Sequence, residues 1–142
     1  MSRPGTLAII KPDAFGGGLA GTILSELEAE GFRVRGARVL RLSRAQAEAF
    51  YDVHRGKPFF ASLVAFMTSG PCMPLALEAE DAVSRLREVI GATDPSKADE
   101  GTIRAKYAES VERNAIHASD SPENARRELA FFFPDAELLS AD

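Results

Sequence analysis

Thr6-Leu7-Ala8-Ile9-Ile10 is the stretch on which the fold depends. It is a compact run of strand formers without apolar–polar alternation, so it reads as a strand covered on both faces. Lys11-Pro12-Asp13 stops it, and Gly16-Gly17-Gly18 reads as a flexible turn. Ala20, Ile23, Leu24 and Leu27 then recur on one face of a helix over Leu19–Glu30, which Gly31 ends. Phe32, Val34, Ala37, Val39 and Leu40–Leu42 predict a second strand. It is interrupted at Gly36 as at a bulge, with Arg33, Arg35, Arg38 and Arg41 toward solvent.

Ser43 and Gln46 have capping-box spacing and open a helix carrying Ala47, Phe50 and Tyr51. After Lys57-Pro58, a second helical stripe of Phe60, Leu63, Val64 and Met67 runs to Ser69-Gly70-Pro71. Met73, Leu75 and Leu77 alternate as a third strand, and Val83, Leu86 and Ile90 mark the next helix. Residues 91–101 have no apolar period and read as a loop, with a helical turn around Ile103–Ala108. Ala115-Ile116-His117 is the fourth strand. Ser121 and Pro122 suit the N-cap and first position of a helix running to about Ala130, and Phe131-Phe132-Phe133 packs a tail that Pro134 ends. The order specifies an α+β fold: a ferredoxin-like βαββαβ sandwich, its four-stranded antiparallel sheet covered by helices, with additional helices and a long loop near 91–101. One domain over residues 1–142 is expected.

Composition narrows the function. Seventeen Lys and Arg against twenty-one Asp and Glu give a net charge of -4, which argues against bulk attraction to nucleic acid or a membrane surface. The arginines of the second strand are the best feature for nucleic-acid binding, and the charge balance weakens it. The single Cys72 excludes an internal disulfide, and two histidines leave no ligand spacing for zinc. The N-terminus reads as neither signal peptide nor membrane span, so a cytoplasmic location is expected.

His117 is the most informative residue. It ends a strand just before a capped helix, where free backbone N–H groups favour phosphate, and a histidine nitrogen can act as a nucleophile. Such a nitrogen must be fixed in tautomer by an acceptor on the other one, and Glu128 in the following helix can reach back to serve. His54, at the end of the Phe50/Tyr51 helix, reads as a cation favoured by a helix C-terminus. Gly16–Gly21 has the spacing of a phosphate loop, but Thr22 stands where lysine is required, and the glycines read as a turn. Lys11, Arg87, Thr93 and Arg104 could converge on a polyphosphate. Phe59 or Phe60 could stack a base, with core packing the better reading for Phe60.

These residues lie in segments that together resemble the nucleoside diphosphate kinase family, in its short bacterial forms. The segments are Ile10-Lys11-Pro12-Asp13-Ala14, Phe50-Tyr51 with His54, Lys57-Pro58-Phe59-Phe60, Met67-Thr68-Ser69-Gly70-Pro71, Gly91-Ala92-Thr93-Asp94-Pro95, Gly101-Thr102-Ile103-Arg104 and Arg113–Ser121. They fall in order across about residues 6–133. The resemblance implies transfer of the γ-phosphoryl group of ATP or another nucleoside triphosphate to a nucleoside diphosphate, by a ping-pong route through a phosphohistidine on His117 Nδ1. It makes Glu128 the residue that orients the ring, Ser119 the neighbouring hydroxyl, and Lys11, Tyr51, Arg87, Thr93, Arg104 and Asn114 the groups that hold sugar and phosphates. Lys11 and Asn114 fall to the ribose, Arg87, Thr93 and Arg104 to the phosphates, and Phe59 to the base.

The resemblance also implies Mg²⁺ bound mainly through nucleotide phosphates, and a homo-oligomer, a tetramer or hexamer built from dimers. Ala118 stands where glycine is usual; it would be strained at positive φ, but an extended backbone that tolerates the methyl is the favoured reading. Glu100 replaces a usual proline and brings a negative charge toward Arg104. These departures motivate the alternative of a nucleotide-binding or regulatory protein of the same fold with reduced catalysis.

Overall fold

The computed structural model describes residues 5–138. Four strands, β1 (Gly5–Ile10), β2 (Arg33–Ala37), β3 (Met73–Glu78) and β4 (Ile116–Ala118), form one sheet in the order β2-β3-β1-β4, with every neighbouring pair antiparallel. The helices are α1 (Pro12–Gly16), α2 (Ala20–Ala29), α3 (Arg44–Phe50), α4 (Phe60–Met67), α5 (Ala82–Ile90), α6 (Ile103–Tyr107), α7 (Pro122–Phe132) and α8 (Asp135–Leu138). This is the expected α+β sandwich.

The opening apolar run is central, and its two faces feed two cores. Ala8, Ile10, Leu75, Leu77, Ile116 and Ala118 pack with Ile23 and Leu27 of α2 and Leu86 and Ile90 of α5. Leu7, Ile9 and Ala76 pack on the opposite face with Ala47 and Phe50 of α3, Val64 and Met67 of α4 and Phe132 of α7. Period-two alternation in β4 follows: Ile116 and Ala118 belong to the first core, so His117 points to the second face. There its ring meets Phe50 and Tyr51 edge-on, at 5.4 and 6.1 Å between centroids.

Several elements differ from the sequence reading. Lys11-Pro12-Asp13 does more than end a strand: Pro12 occupies the first turn of α1, where its missing N–H costs nothing. The second strand ends at Ala37, and beyond it Leu40 forms an isolated bridge with Cys72. The bulge is present, the register shifting between Val34 and Gly36. A Cβ at Gly36 would lie 2.9 Å from the Phe133 ring, so the strand is pressed against the aromatic tail where only glycine fits. Its arginines are not simply solvated: Arg35 lies 3.9 Å from Glu78, both side chains 10% exposed, and Arg38 donates to the Phe132 carbonyl at 2.7 Å. The 91–101 loop contains a one-turn 3₁₀ helix over Pro95–Lys97, capped by Asp94. The last long helix continues to Phe132 because Phe132 and Phe133 are buried.

Candidate active site

His117 lines a cleft of about 480 Å³ whose walls also include Lys11, Tyr51, Phe59, Arg87, Thr93, Arg104, Asn114 and Glu128, but neither Ser119 nor Phe60. Its Nε2 is 2.8 Å from Glu128 Oε1. An ionised carboxylate only accepts, so Nε2 carries the proton and Nδ1 keeps the lone pair. Ser119 Oγ donates to the same oxygen at 2.7 Å, and Ser119 is fully buried behind the ring. Burial alone would raise the Glu128 pKa, but hydrogen bonds from His117 and Ser119 outweigh it and hold the group below its ordinary value. Glu128 is thus a fixed anion on one side of the ring. The chain brings it there because α7, started by the Ser121 cap and Pro122, runs back along β1 and β4.

The cations lie deeper. Lys11, at the end of β1, is 7% exposed, and its Nζ donates to Asn114 Oδ1 at 2.8 Å. Asn114 Nδ2 donates to the Thr93 carbonyl at 3.2 Å, which ties the 91–101 loop to the entry of β4. Burial and then the like charge of Arg104 push the Lys11 pKa down to about 8. Arg104, 6% exposed, donates to the carbonyls of Ile116 at 2.6 Å and Gly91 at 3.1 Å. Burial, with Arg87 nearby, brings its pKa down to about 10, so it stays charged at neutral pH. Two cations this buried are expensive without an anion, and the cleft they line with Arg87 is open to one.

The other end of the cleft is apolar. Val53, Phe59 and Val111 are large side chains left exposed, at 57%, 46% and 56%, and all three line the opening. Phe60 packs against the second core, as expected. Tyr51 is buried with its hydroxyl unpartnered, and burial raises its pKa.

His54 corrects the sequence reading. It lies in a short 3₁₀ turn (Asp52–His54), lines the cleft, and stacks on Tyr51 at 6.3 Å between centroids. Burial and the neighbouring Lys57 and His117 lower its pKa, so it is not a stabilised cation. Glu100 lines a second concavity with Glu26, Glu88 and Lys106, distinct from the cleft that Arg104 lines. Ala118 lies in extended β4, and the strain falls elsewhere: among the described residues only Asp81 and Ala115 are non-glycine residues at positive φ.

Sequence reading missed Asp13. Ala115, at φ 73°, is two residues before His117, and its N–H donates to Asp13 Oδ2 at 3.0 Å. The Ala115 carbonyl accepts from the Lys11 N–H at 2.9 Å. Both ends of the strained peptide are thus clamped by Lys11-Pro12-Asp13, a cost that persists only where surroundings over-determine it. The available signal was a carboxylate in the first turn of a helix that follows a central strand. Gly91 is a second such point: at φ 88°, its Cβ would be 2.5 Å from Thr102 Oγ1. Gly91→Ala is expected to lower stability by about 1–3 kcal/mol and to weaken nucleotide binding through the Arg104 contact, measured by thermal unfolding and by titration with ADP.

A proton-fixed imidazole, its free nitrogen paired with a cationic cleft that ends in exposed aromatic and aliphatic groups, defines a site for handling phosphoryl groups. The comparisons sharpen that class. The family model described as nucleoside diphosphate kinase matches residues 5–138. The nucleoside diphosphate kinases of Nitrosospira multiformis and Burkholderia thailandensis are 53% and 52% identical over 140 residues, in each case 99% of both chains. The solved nucleoside diphosphate kinase of Aquifex aeolicus superposes with a TM-score of 0.93 at 44% identity, over 97% of this chain and 100% of that one. A halophilic nucleoside diphosphate kinase from Halobacterium salinarum, solved in complex with CDP, gives 0.93 at 39% identity over 99% and 93%. The chain belongs to the nucleoside diphosphate kinase family and is an enzyme of that reaction class.

Proposed function

We propose that His117 Nδ1 is the group that carries the phosphoryl between the two half-reactions. Its lone pair forms the N–P bond at the γ-phosphorus of ATP or another triphosphate. The bond from that phosphorus to the β–γ bridging oxygen breaks, and the electron pair leaves with the diphosphate. A different nucleoside diphosphate then enters, and its terminal oxygen takes the phosphoryl group from nitrogen. The observation that carries this reading is the occupied Nε2, held by Glu128, which leaves Nδ1 as the free base.

Glu128 orients the ring and stabilises the positive charge it develops, with Ser119 fixing the carboxylate. Arg87, Thr93 and Arg104 take the phosphates, Lys11 and Asn114 the ribose hydroxyls, Phe59 the base, and Tyr51 packs beside the ring. The reduced-catalysis alternative rested on Ala118 and Glu100. The extended, unstrained Ala118 weakens the first of these motives.

Magnesium enters with the nucleotide as part of the substrate. We propose that the ion is held mainly by phosphate oxygens and water. Among the described residues no helix is long and apolar enough to cross a membrane. We place the enzyme in the cytoplasm as one domain over residues 1–142, in a homo-oligomer, a tetramer or hexamer of dimers, which mass measurement in solution distinguishes.

Isotope chase tests the reading. Protein incubated with γ-labelled ATP and freed of nucleotide should hold acid-labile, alkali-stable label, and CDP should remove it as labelled CTP. Label that never forms, or that CDP cannot discharge, overturns the proposal.

Lys11 makes the reaction sensitive to alkali. With a pKa near 8, it loses its charge between pH 7 and 9, so nucleotide affinity should fall over that window. The unfolded chain keeps the proton up to about 10.5, so between the two values it binds more protons and folding stability rises with pH. Activity and stability therefore move in opposite directions. Lys11→Met should remove the alkaline fall from a pH profile of kcat/KM.

A further inference from the structure

Two segments distant in sequence wall the apolar end of the cleft. Phe59 and Leu63 come from the start of α4, Val111 and Glu112 from the connection between α6 and β4. That connection is a closed turn. Glu109 N–H donates to the Arg113 carbonyl at 2.8 Å, Arg113 N–H to Ser110 Oγ at 3.0 Å, and the Arg113 guanidinium to Glu109 Oε2 at 2.6 Å. A turn bonded to itself in this way moves as one piece. It is fastened to α4 at two points: Ser62 Oγ donates to Glu112 Oε2 at 2.7 Å, and the Arg113 guanidinium lies 5.5 Å over the Phe66 ring.

We propose that the Ser62–Glu112 hydrogen bond is a tie that sets the width of the base slot. Ser62 and Glu112 are positioning residues: they hold Val111 in the cleft wall it shares with Phe59 and do not themselves join the chemistry. This rests on the reading that a nucleotide base occupies the apolar end. With the tie broken, the turn pivots on the Arg113–Phe66 contact and Val111 withdraws from the base. The phosphates, held by Arg87 and Arg104 at the other end, keep their place. The loss therefore falls on affinity and not on the transfer step. Glu112 also faces Lys11 electrostatically, so its hydrogen bond must be separated from its charge. Glutamine does this, because its side-chain oxygen accepts from Ser62 without the charge.

The experiment is equilibrium titration with ADP, alongside steady-state kinetics, on the full chain. Ser62→Ala and Glu112→Ala are each expected to raise Kd roughly threefold to fivefold, the scale of one exposed charge-assisted hydrogen bond. The double variant should lose no more than Glu112→Ala alone, and Glu112→Gln should recover most of the loss. In all of them kcat should stay within about twofold of wild type, as expected when ground-state and transition-state binding fall together. Unchanged Kd in Ser62→Ala, multiplicative losses in the double variant, or a fall in kcat at constant KM would each overturn the tie. Failure of the wild type to form labelled phosphoprotein overturns the His117 reading instead. The titration with ADP still decides the tie in that case, because it needs no transfer.

Discussion

His117→Ala is expected to form no phosphoprotein and to turn over roughly 10⁴-fold or more slowly than wild type, the scale on which loss of a nucleophile leaves only binding and electrostatic effects. The site predicts that binding survives. Lys11 is held by Asn114, and Asn114 and Arg104 by backbone carbonyls, and none of these hydrogen bonds involves the imidazole. Ser119 still donates to Glu128 in the variant, so the carboxylate is not left bare. Its pKa should rise, because the imidazole hydrogen bond is one of the interactions that hold it down. An unchanged Kd for ADP beside lost turnover separates this outcome from misfolding. Glu128→Gln is the partial counterpart: the ring keeps a hydrogen-bonding neighbour but loses the anion that balances its developing charge.

Arg104→Ala is the second large effect, with kcat/KM expected to fall roughly 10³-fold, as when a fixed charge clamp on a transferring group is removed. Arg104 does two things at once. It presents a buried cation to the cleft, and it joins the Gly91 carbonyl at the end of α5 to the Ile116 carbonyl in β4, the residue before His117. Alanine leaves both carbonyls unpaired, so stability should drop by about 1–3 kcal/mol. Lysine restores charge but cannot span two carbonyls and is expected to recover only part of the loss. A pH profile supplies an independent check. Arg104 is a neighbouring cation that lowers the Lys11 pKa, so its removal should move the alkaline fall to higher pH.

The residues that were legible in the sequence are those whose signal is local. The continuous apolar run at 6–10 announced a strand buried on both faces, and Ser43–Gln46 and Ser121–Pro122 announced helix starts that the structure bears out. His117 and Glu128 were readable because eleven residues separate a strand end from the facing turn of the next helix. What stayed hidden depends on contacts between distant segments. Asp13 gains its role only through Ala115, 102 residues away, and Ser62 through Glu112, 50 residues away. His54 reads as an ordinary helix-end cation until the fold lays it against Tyr51 and Phe59. Ala118 is extended, as its sequence context favoured, and the positive φ lies three residues earlier at Ala115, because φ depends on how β4 is entered and not on the residue type alone.

The central claim is that Glu128 holds Nε2 and so selects Nδ1 of His117 as the carrier. The direct measurement is nitrogen and phosphorus NMR of the protein phosphorylated by ATP, labelled at histidine. The account predicts a single phosphoramidate at Nδ1 of His117, with Nε2 still protonated and hydrogen-bonded. Phosphate on Nε2, on His54, or on a residue other than histidine would contradict it.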